Sequence, residues 1–578
     1  MHMPTFDELK KLAKRAPEPH ENALRIAVVG DCATQFLACA ISGCAVYCGH
    51  PVRVLDTDYN QIDAQLMDGA SETYAFKPDM LLLYLSSEKL YQAYCEASPQ
   101  RRMDFAAEKL TYIRNLWAMV CTKKPGLHIV QTTFVQLDDG VLGSAAAKTP
   151  ASFLFQIRKL NFLLSEAASH ADDLSLLDLD AMQSKLGRKT FFDDKLFLIA
   201  KSPISHVVLP MVAQRVMDLA SALRGELRKC VVLDLDNTLW GGVIGDDGLE
   251  GIQIGELGTG VAFTQLQRWL LELKKRGILL AVCSKNNDDT ARLPFEQHPE
   301  MLLRLSDFAM FVANWEDKAG NIRKIQQTLN IGMDSMIFLD DNPFERNVVR
   351  GLIPEITVPE LPEDPALYLS YLQSLNLFET VSFSVADLSR TQQYQEEGQR
   401  TQTAAQFASY DEYLQSLEMA AHVAPFDAFH TPRIAQLTQR SNQFNLRTRR
   451  YTEADVERLA NDPRYLTQWY ELKDKFGDYG LISVVVLEEI DKHTLFIDTW
   501  LMSCRVLKRG MERFIINKMV ALAHESGYIT LVGEYLPTPK NAMVKDIYEN
   551  MGFTPLGNSR YQLDIVRYQP ELTFIKEE

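Results

Sequence analysis

The segment VVLDLDNTLWGGVIGDDG, residues 231–248, begins as an apolar run, carries two aspartates one residue apart, and continues into a glycine-rich turn. Such an apolar run, bounded by a turn, is typical of a strand buried on both faces of a parallel sheet. Ligands bind beyond the carboxyl ends of these strands, so Asp234 and Asp236 are predicted to reach one pocket. Two close carboxylates repel each other, and a Mg²⁺ ion between them resolves the repulsion.

Further polar residues follow other predicted strands. MIFLDD ends in Asp340 and Asp341, AVCSKNN carries Ser284, and NWEDKAGNI contains Lys318. Each of these residues alone is more often a helix cap, a turn residue or a surface charge. Their order favours a site in which the carboxylates hold a cation and Ser284 and Lys318 contact a phosphate.

Length and charge limit the kinds of protein that this chain represents. It has 578 residues, too many for one hydrophobic core, and this length predicts about three domains. Its formal net charge of -16 argues against nucleic-acid binding, because a phosphate backbone selects an excess of Lys and Arg. We therefore expect no nucleic-acid partner.

Cysteine usage and hydrophobicity indicate the compartment. The nine cysteines include no Cys-x-x-Cys pair, which disfavours zinc and fits reduced thiols in a cytosol. Residues 1–22 lack the apolar core of a signal peptide, and no run of about 18 apolar residues occurs. The sequence predicts a soluble cytoplasmic protein with no membrane association.

Apolar runs alternate with helical segments through much of the chain. Five such runs between residues 24 and 180, and four between 229 and 345, predict two α/β units with parallel sheets covered on both faces. A polar helical connector and a last part of mixed α+β character follow. The predicted fold class is α/β multidomain, with domains at 1–226, 227–362, 363–405 and 406–578.

The order of the polar motifs resembles the haloacid dehalogenase (HAD) superfamily of aspartate-nucleophile phosphotransferases. A strand with Asp-x-Asp, a strand-terminal Ser, a Lys and a strand with paired Asp all occur in that order. The resemblance implies that Asp234 attacks phosphorus and becomes an aspartyl phosphate. It also implies that Asp236 protonates the leaving oxygen and later activates water.

The same resemblance assigns the rest of the site, whose chemistry consists mainly of positioning and charge neutralisation. Ser284 and Lys318 would hold the phosphoryl oxygens, with Asn237 and Thr238 as further substrate-binding residues. The implied cofactor is Mg²⁺. Its implied ligands are Asp234, the carbonyl of Asp236, Asp340 and Asp341.

The spacing of the motifs leaves no room for a separate cap domain. Between the Asp-x-Asp strand and the Ser284 strand there is space for a glycine-rich hairpin, WGGVIGDDGLEGI, and one helix, GTGVAFTQLQRWLLELKKRG. Only some thirty residues separate Ser284 from Lys318. A capless, Rossmann-like HAD domain is open, so it admits a large substrate or uses another domain as its lid.

Longer phrases resemble the FkbH family from residue 228 to the end of the sequence. They are LDLDNTLWGGVIGDDG, GILLAVCSKNN, FEQHPEMLL, FVANWEDKAGNI, FLDDNPFERN and TWLMSCRVLKRGMER. That family takes the acyl group of 1,3-bisphosphoglycerate, removes a phosphate, and passes the glyceryl group to the phosphopantetheine thiol of an acyl carrier protein. The resemblance implies the same substrate and the same protein partner here.

Cys283 directly precedes Ser284 at the predicted mouth of the phosphate pocket. A neighbouring Mg²⁺ ion and Lys318 would lower the pKa of the thiol and favour the thiolate. We therefore predict that Cys283 carries the glyceryl group as a thioester. The alternative is an ordinary buried small residue, since neighbouring side chains of a strand point to opposite faces.

The last part of the chain resembles the GNAT acetyltransferase fold. SCRVLKRGMER approximates its pyrophosphate-binding loop, but Lys508 stands where the first glycine would be and would obstruct a diphosphate. Such a fold would guide a phosphopantetheine arm without acetylation. Nearby arginines are predicted to dock an acidic carrier protein, the alternative being a solvated surface. They are Arg440, Arg447, Arg449, Arg450 and Arg505.

LRIAVVGDCATQF resembles the opening block of SGNH/GDSL hydrolases, with Cys32 at the position of the nucleophilic Ser. The other blocks match poorly. Ser86 and Ser87 stand where Asn-Asp is expected, and Pro203 replaces the Asp three positions before His206. A nucleophile needs a placed base and an orienting acid. We expect a three-layer, SGNH-like domain that is not a hydrolase and that covers the HAD site or binds a partner.

Three interpretations of function remain open. The first is a Mg²⁺-dependent enzyme that transfers a glyceryl unit from 1,3-bisphosphoglycerate to an acyl carrier protein with dephosphorylation. The second is a HAD phosphatase without acyl transfer, and the third is a non-catalytic scaffold that binds carrier proteins. The complete set of HAD residues argues against the scaffold, whereas Cys283 and the GNAT-like part favour transfer.

Overall fold

A computed structural model describes residues 3–15, 23–50, 52–381, 407, 409–441, 443–503, 506–507, 509–538 and 540–578. The chain divides into two compact units, the N-terminal unit (residues 2–221) and the C-terminal unit (residues 222–578). The predicted connector is described up to residue 381, where it contains helix Tyr368–Ser374, and its remainder lies outside the described residues. None of the described helices is long and apolar enough to cross a membrane.

The N-terminal unit contains a five-stranded parallel sheet in the order β2-β1-β3-β4-β5. All five strands predicted from the apolar runs are present. They are β1 (Arg25–Gly30), β2 (Arg53–Asp56), β3 (Met80–Tyr84), β4 (His128–Thr132) and β5 (Leu174–Leu177). β3 and β4 are buried along their whole length, because helices cover both faces of a sheet of this kind.

Helices connect the strands of this unit and continue beyond the last one. Those before β4 are Phe6–Arg15, Gln35–Tyr47, Ile62–Met67, Glu72–Ala75, Ser87–Glu96 and Phe105–Lys123. Those after β4 are Phe153–Ala168, Leu179–Leu186, Arg188–Phe191, Asp194–Ala200 and Leu209–Leu223, the last of which runs across the boundary between the units.

The first part of the C-terminal unit is a four-stranded parallel sheet in the order β8-β7-β6-β9. Its strands are β6 (Cys230–Leu233), β7 (Leu279–Ser284), β8 (Phe308–Ala313) and β9 (Met336–Leu339). Its helices are Ile244–Gly251, Gly260–Lys275, Asp288–Gln297, Lys318–Leu329 and Pro343–Leu352. Alternate residues of β6 and β7 enter two separate apolar clusters, so that both faces of the sheet are covered. This is the predicted α/β arrangement.

The predicted glycine-rich hairpin is a helix instead. Residues 240–252 contain helix Ile244–Gly251, and only one bridge, between Gly241 and Gln253, joins the two ends of the segment. The carboxylate of Asp247 accepts a hydrogen bond from the Val243 N–H at 2.7 Å, which satisfies a donor at the start of the helix. The predicted helix after this segment is present as Gly260–Lys275.

The remainder of the C-terminal unit is built on a nine-stranded mixed sheet in the order β16-β17-β15-β14-β13-β12-β10-β18, with β11 paired to β14. The strands up to β14 are β10 (Ala420–Ala424), β11 (Phe444–Asn445), β12 (Tyr465–Asp474), β13 (Gly477–Asp491) and β14 (Thr494–Met502). The others are β15 (Thr530–Glu534), β16 (Thr554–Gly557), β17 (Arg560–Asp564) and β18 (Lys576–Glu577). The sequence predicted β14 and β15 but not the long strands β12 and β13.

The described helices that accompany this sheet are Tyr410–Ser416, Thr431–Arg440, Glu453–Asn461, Met511–Glu525 and Ile547–Asn550. Helix Met511–Glu525 packs its apolar face, including Phe514 and Ile515, into the largest cluster of this region. The mixed α+β character predicted for the end of the chain is therefore present.

Candidate active site

Three carboxylates meet at the carboxyl edge of the four-stranded sheet. Asp234 follows β6, and Asp340 and Asp341 follow the neighbouring parallel strand β9. The Asp234 N–H donates to the Leu339 carbonyl at 2.9 Å, which aligns the two strand ends. One carboxylate oxygen from each aspartate lies within 4.8 Å of the others. Within the described part of the chain, no other three His, Cys, Asp or Glu side chains come together in this way.

Lys318 projects into this cluster from the first position of helix Lys318–Leu329, which Asp317 caps. Its Nζ lies 2.5 Å from Oδ2 of Asp340 and 3.0 Å from Oδ2 of Asp234. Burial by itself lowers the pKa of Lys318, but the two carboxylates outweigh burial and raise that pKa. The lysine is therefore a fixed positive charge at the centre of the site.

The cluster fits a hard divalent cation. Oδ1 of Asp234 is buried and accepts no hydrogen bond from the described residues. Burial and the Asp234 charge raise the pKa of Asp340 to about 6, and the same causes raise the pKa of Asp341. Carboxylate oxygens that destabilise one another in this way are the ligands that Mg²⁺ prefers. Asp234, Asp340 and Asp341 would hold the ion.

The carboxylate of Asp236 is held apart from that cluster. Its Oδ1 accepts hydrogen bonds from Trp240 Nε1 at 3.0 Å and from the Ile244 N–H at 2.9 Å. Its Oδ2 accepts a hydrogen bond from Asn286 Nδ2 at 2.8 Å. Both carboxylate oxygens of Asp236 are therefore held by partners outside the three-aspartate cluster.

The three residues predicted to bind substrate through hydroxyl or amide groups have different environments. Ser284 is buried at the end of β7, with its Oγ 3.5 Å from the Nδ2 of Asn286. The hydroxyl of Thr238 accepts a hydrogen bond from the Asp341 N–H at 3.1 Å. Asn237 has a positive φ of 53° and its side chain accepts from a backbone N–H in the following turn. Thr238 and Asn237 thus position the loops around the carboxylates.

Two residues of the site were not predicted from the sequence. Arg346 is buried and donates to the carbonyls of Asp340 at 2.8 Å and Asp341 at 2.7 Å, while Glu360 neutralises its charge at 2.7 Å. Asn286 is the other, through its hydrogen bond to Asp236. The phrases FLDDNPFERN and AVCSKNN contain both residues, but their partners are set by tertiary contacts.

Cys283 does not reach the mouth of the site. Its side chain is fully buried among apolar residues on one face of the sheet, and its thiol donates to the Lys318 carbonyl at 3.7 Å. Burial is the main cause that raises the pKa of this thiol to about 12. The burial of Cys283 favours the alternative of a buried small residue, because strand neighbours alternate faces.

Of the three predicted docking arginines whose side chains the structure describes, two are largely shielded from solvent. Arg447 pairs with Asp498 at 2.7 Å and with Glu534 at 2.9 Å, and its side chain is only 10% exposed. Arg450 donates to backbone carbonyls, and burial lowers its pKa to about 10. Arg449 is 55% exposed and remains available to a partner. The side chains of Arg440 and Arg505 lie outside the described residues.

The surroundings of Cys32 also differ from those of a hydrolase. The thiol is buried, and burial together with Asp31 raises its pKa well above the usual range. The ring of His206 stacks on Phe6 with the ring centroids 4.7 Å apart. The expectation that this unit is not a hydrolase stays a prediction.

Comparison with known proteins agrees with this site. The model of the FkbH N-terminal domain matches residues 25–221. A solved structure, the N-terminal part of the protein BF1531 from Bacteroides fragilis, contains a phosphatase domain and was crystallised with Mg. It is 44% identical to this chain with a TM-score of 0.62, and the alignment covers 66% of this chain and 100% of that one. No curated protein matches the chain.

Two acetyltransferase structures are similar to about a quarter of the chain. The ribosomal-protein-S18-alanine N-acetyltransferase from Escherichia coli is 15% identical with a TM-score of 0.20, and the alignment covers 26% of this chain and 98% of that one. The GNAT domain of S. lividans PAT is 16% identical with a TM-score of 0.20, and the alignment covers 25% of this chain and 89% of that one. Similarity at this level defines neither the activity nor the partners of the region.

A parallel sheet with a lysine-bridged carboxylate cluster at its carboxyl edge defines an enzyme of the HAD phosphatase type. The matched N-terminal domain and the 44% identity to the Bacteroides fragilis protein then specify the family. The chain belongs to the FkbH family.

Proposed function

We propose that this protein is a Mg²⁺-dependent enzyme that removes phosphate from 1,3-bisphosphoglycerate and transfers the glyceryl unit to the phosphopantetheine thiol of an acyl carrier protein. The proposed phosphatase activity rests on one observation, the cluster of Asp234, Asp340, Asp341 and Lys318. Membership of the FkbH family supports the transfer half.

Asp234 is the nucleophile of the phosphatase step. Its buried Oδ1 has no hydrogen-bond partner among the described residues, so a lone pair is available to attack phosphorus. The bond between phosphorus and the substrate oxygen breaks as the aspartyl phosphate forms. Lys318 and Ser284 stabilise the charge of the transferring phosphoryl group. When bound, Mg²⁺ neutralises the negative charge shared by the carboxylates and the phosphoryl oxygens.

Asp236 moves the protons of this step. It donates a proton to the leaving oxygen and then removes one from the water that hydrolyses the aspartyl phosphate. Its contacts with Trp240, Ile244 and Asn286 hold the carboxylate in one orientation for both events. Thr238 and Arg346 form hydrogen bonds with the backbone of Asp340 and Asp341, and these bonds keep the two carboxylates in position.

The acyl transfer proceeds without an enzyme thioester on Cys283. The carrier thiol attacks the acyl carbon of 1,3-bisphosphoglycerate, the bond from that carbon to the phosphate oxygen breaks, and phosphate leaves. Asp234 removes the second phosphate, which is held as an ester. The buried thiol of Cys283, whose pKa is raised to about 12, supports this direct route.

The other regions serve the partner. We propose an SGNH-like domain at 1–226 that is not a hydrolase, and a GNAT-like domain at 406–578 that guides the phosphopantetheine arm beside Arg449.

A phosphatase without acyl transfer is the second candidate. It is favoured by one observation, namely that the predicted acyl acceptor Cys283 is buried while the phosphoryl site is complete. A non-catalytic scaffold is disfavoured, because burying a lysine and two aspartates beside a third, partly buried aspartate costs stability that a scaffold has no reason to sacrifice.

The decisive experiment is intact mass spectrometry of the enzyme and a phosphopantetheinylated carrier after incubation with 1,3-bisphosphoglycerate and Mg²⁺. We expect a glyceryl-sized mass on the carrier with wild type and with Cys283→Ala, but no glyceryl product with Asp234→Asn. Asp289→Asn, an exposed carboxylate in the same unit, is the control. Phosphate release without a mass increase on the carrier would establish the simple phosphatase.

A further inference from the structure

The N-terminal unit has a second group of polar side chains at a place where parallel sheets bind ligands. In the order β2-β1-β3-β4-β5, the connection after β1 leads to one side and the connection after β3 leads to the other, which opens a crevice beyond the carboxyl ends of these two strands. Asp31 and Cys32 follow β1, and Ser86, Glu88 and Lys89 follow β3.

Hydrogen bonds join the polar residues on both sides of this crevice. The Ser86 N–H donates to Oδ1 of Asp31 at 2.8 Å, and the Asn60 N–H donates to the Gly30 carbonyl at 3.2 Å. The ammonium of Lys89 donates to the side-chain oxygen of Asn60. The ends of β1 and β3 and the loop after β2 therefore surround one polar region.

Glu88 and Arg188 meet in this region through one contact, between Oε1 and Nη2 at 3.3 Å. The Glu88 side chain is only 10% exposed. Its Oε2 and the Nη1 of Arg188 are both buried, and neither has a hydrogen-bond partner among the described residues. Buried polar atoms are nearly always paired, so an unused acceptor beside an unused donor indicates a ligand that supplies both groups.

We propose that this crevice binds a small oxyanion that carries a neighbouring hydroxyl group, as a hydroxy acid or a hydroxyl-bearing phosphate ester does. The anionic oxygen accepts from Nη1 of Arg188, and the hydroxyl donates to Oε2 of Glu88. The buried thiol of Cys32 and the carboxyl of Asp31 close the site on the β1 side. The site lies in a different unit from Asp234 and does not rest on the proposed function.

Isothermal titration calorimetry of the full-length Lys318→Met protein in EDTA tests the proposal, because this background lacks both the metal and the cation that would hold an anion at the carboxylate cluster. The probes are D-glycerate and glycerol 3-phosphate, with acetate and inorganic phosphate as their counterparts without a hydroxyl. We expect one of the first pair to bind at least tenfold more tightly than its counterpart, and which one it is distinguishes carboxylate from phosphate. Equal affinities within both pairs, or no binding, overturn the proposal.

Variants locate the binding. Arg188→Gln and Glu88→Gln should each weaken binding of the preferred probe at least tenfold, whereas Arg101→Gln, which affects an exposed ion pair of the same unit, should not. Unchanged affinity in the first two variants overturns the assignment.

Discussion

The ammonium nitrogen of Lys318 lies 3.0 Å from Oδ2 of Asp234, and both side chains are almost entirely shielded from solvent. Together with Asp340 and Asp341, they form a group of three carboxylates and one ammonium, whose formal charge is two negative units. A Mg²⁺ ion cancels that charge. The ion pair between Lys318 and Asp234 therefore affects both the stability of the site and its affinity for Mg²⁺.

Replacing Lys318 by methionine should affect activity and stability together. Phosphate release should fall at least about 100-fold, because a fixed donor to the phosphoryl oxygens is lost. The carboxylates would then repel one another more strongly, so Mg²⁺ should raise the thermal midpoint by more than it does in wild type. Thermal unfolding in EDTA and in Mg²⁺ measures this difference. Lys324→Met, which removes an exposed ion pair, is the control, and equal Mg²⁺ effects in all proteins contradict the prediction.

Asp236→Asn should impair proton transfer without weakening metal binding. Phosphate release should fall by about 10²–10⁴-fold, since the amide neither donates nor accepts the proton as a carboxyl group does. Its affinity for Mg²⁺ should stay close to that of wild type, because the carboxylate lies outside the metal cluster. Asp341→Asn should instead weaken Mg²⁺ binding. Titration calorimetry and a phosphate assay distinguish the two variants, and weak Mg²⁺ binding by Asp236→Asn would count against this assignment.

Cys283→Ala should keep its activity within a few-fold of wild type. The thiol is buried and its pKa is raised to about 12, so the thiolate form is scarce at neutral pH. Cys283→Ser should be the less stable of the two, by about 1–3 kcal/mol, because a hydroxyl enters an apolar cluster. Urea unfolding and steady-state assays measure both effects. A glyceryl adduct found on Cys283 itself would refute this interpretation.

Arg447→Ala and Arg449→Ala should differ sharply in stability. Removing Arg447 leaves Asp498 and Glu534 without their shared cation in a buried region, and this should cost about 3–5 kcal/mol. Arg449 is more than half exposed and its nearest carboxylate oxygen is 3.8 Å away, so its loss should cost less than about 1 kcal/mol. Urea unfolding gives both values. If a carrier docks here, binding should weaken in Arg449→Ala while the fold stays intact.

His128 should make the N-terminal unit less stable in acid. Burial lowers the pKa of His128 from 6.5 to about 4, so between these values only the unfolded chain takes up the proton. The free energy of unfolding therefore decreases as the pH falls from 6.5 to 4, by up to about 3 kcal/mol. His128→Gln should lose less stability over this range. Urea midpoints of both proteins at pH 7.5, 5.5 and 4.5 measure the difference, and parallel curves would exclude His128 as the titrating group.

The α/β organisation and the centre of the site could be predicted from the amino-acid sequence. Apolar runs specified the strands of both parallel sheets, because continuous hydrophobicity is what a strand buried on both faces requires. Since the carboxyl ends of parallel strands share one edge, the aspartates after β6 and β9 could be placed together without coordinates. The order of the motifs also predicted that Lys318 belongs to the site, and in the structure Lys318 lies beside Asp234.

The face to which each side chain of a strand points, and the distant groups that come into contact, depend on tertiary packing. Cys283 and Ser284 are adjacent in sequence, yet the alternation along β7 buries the thiol among apolar residues. Arg447 is linked to Glu534, 87 positions away, and Asn286 to Asp236, 50 positions away. The spacing of apolar residues within one segment indicates its secondary structure. Burial and the pairing of charges depend instead on how separate elements pack, and one segment does not specify that packing.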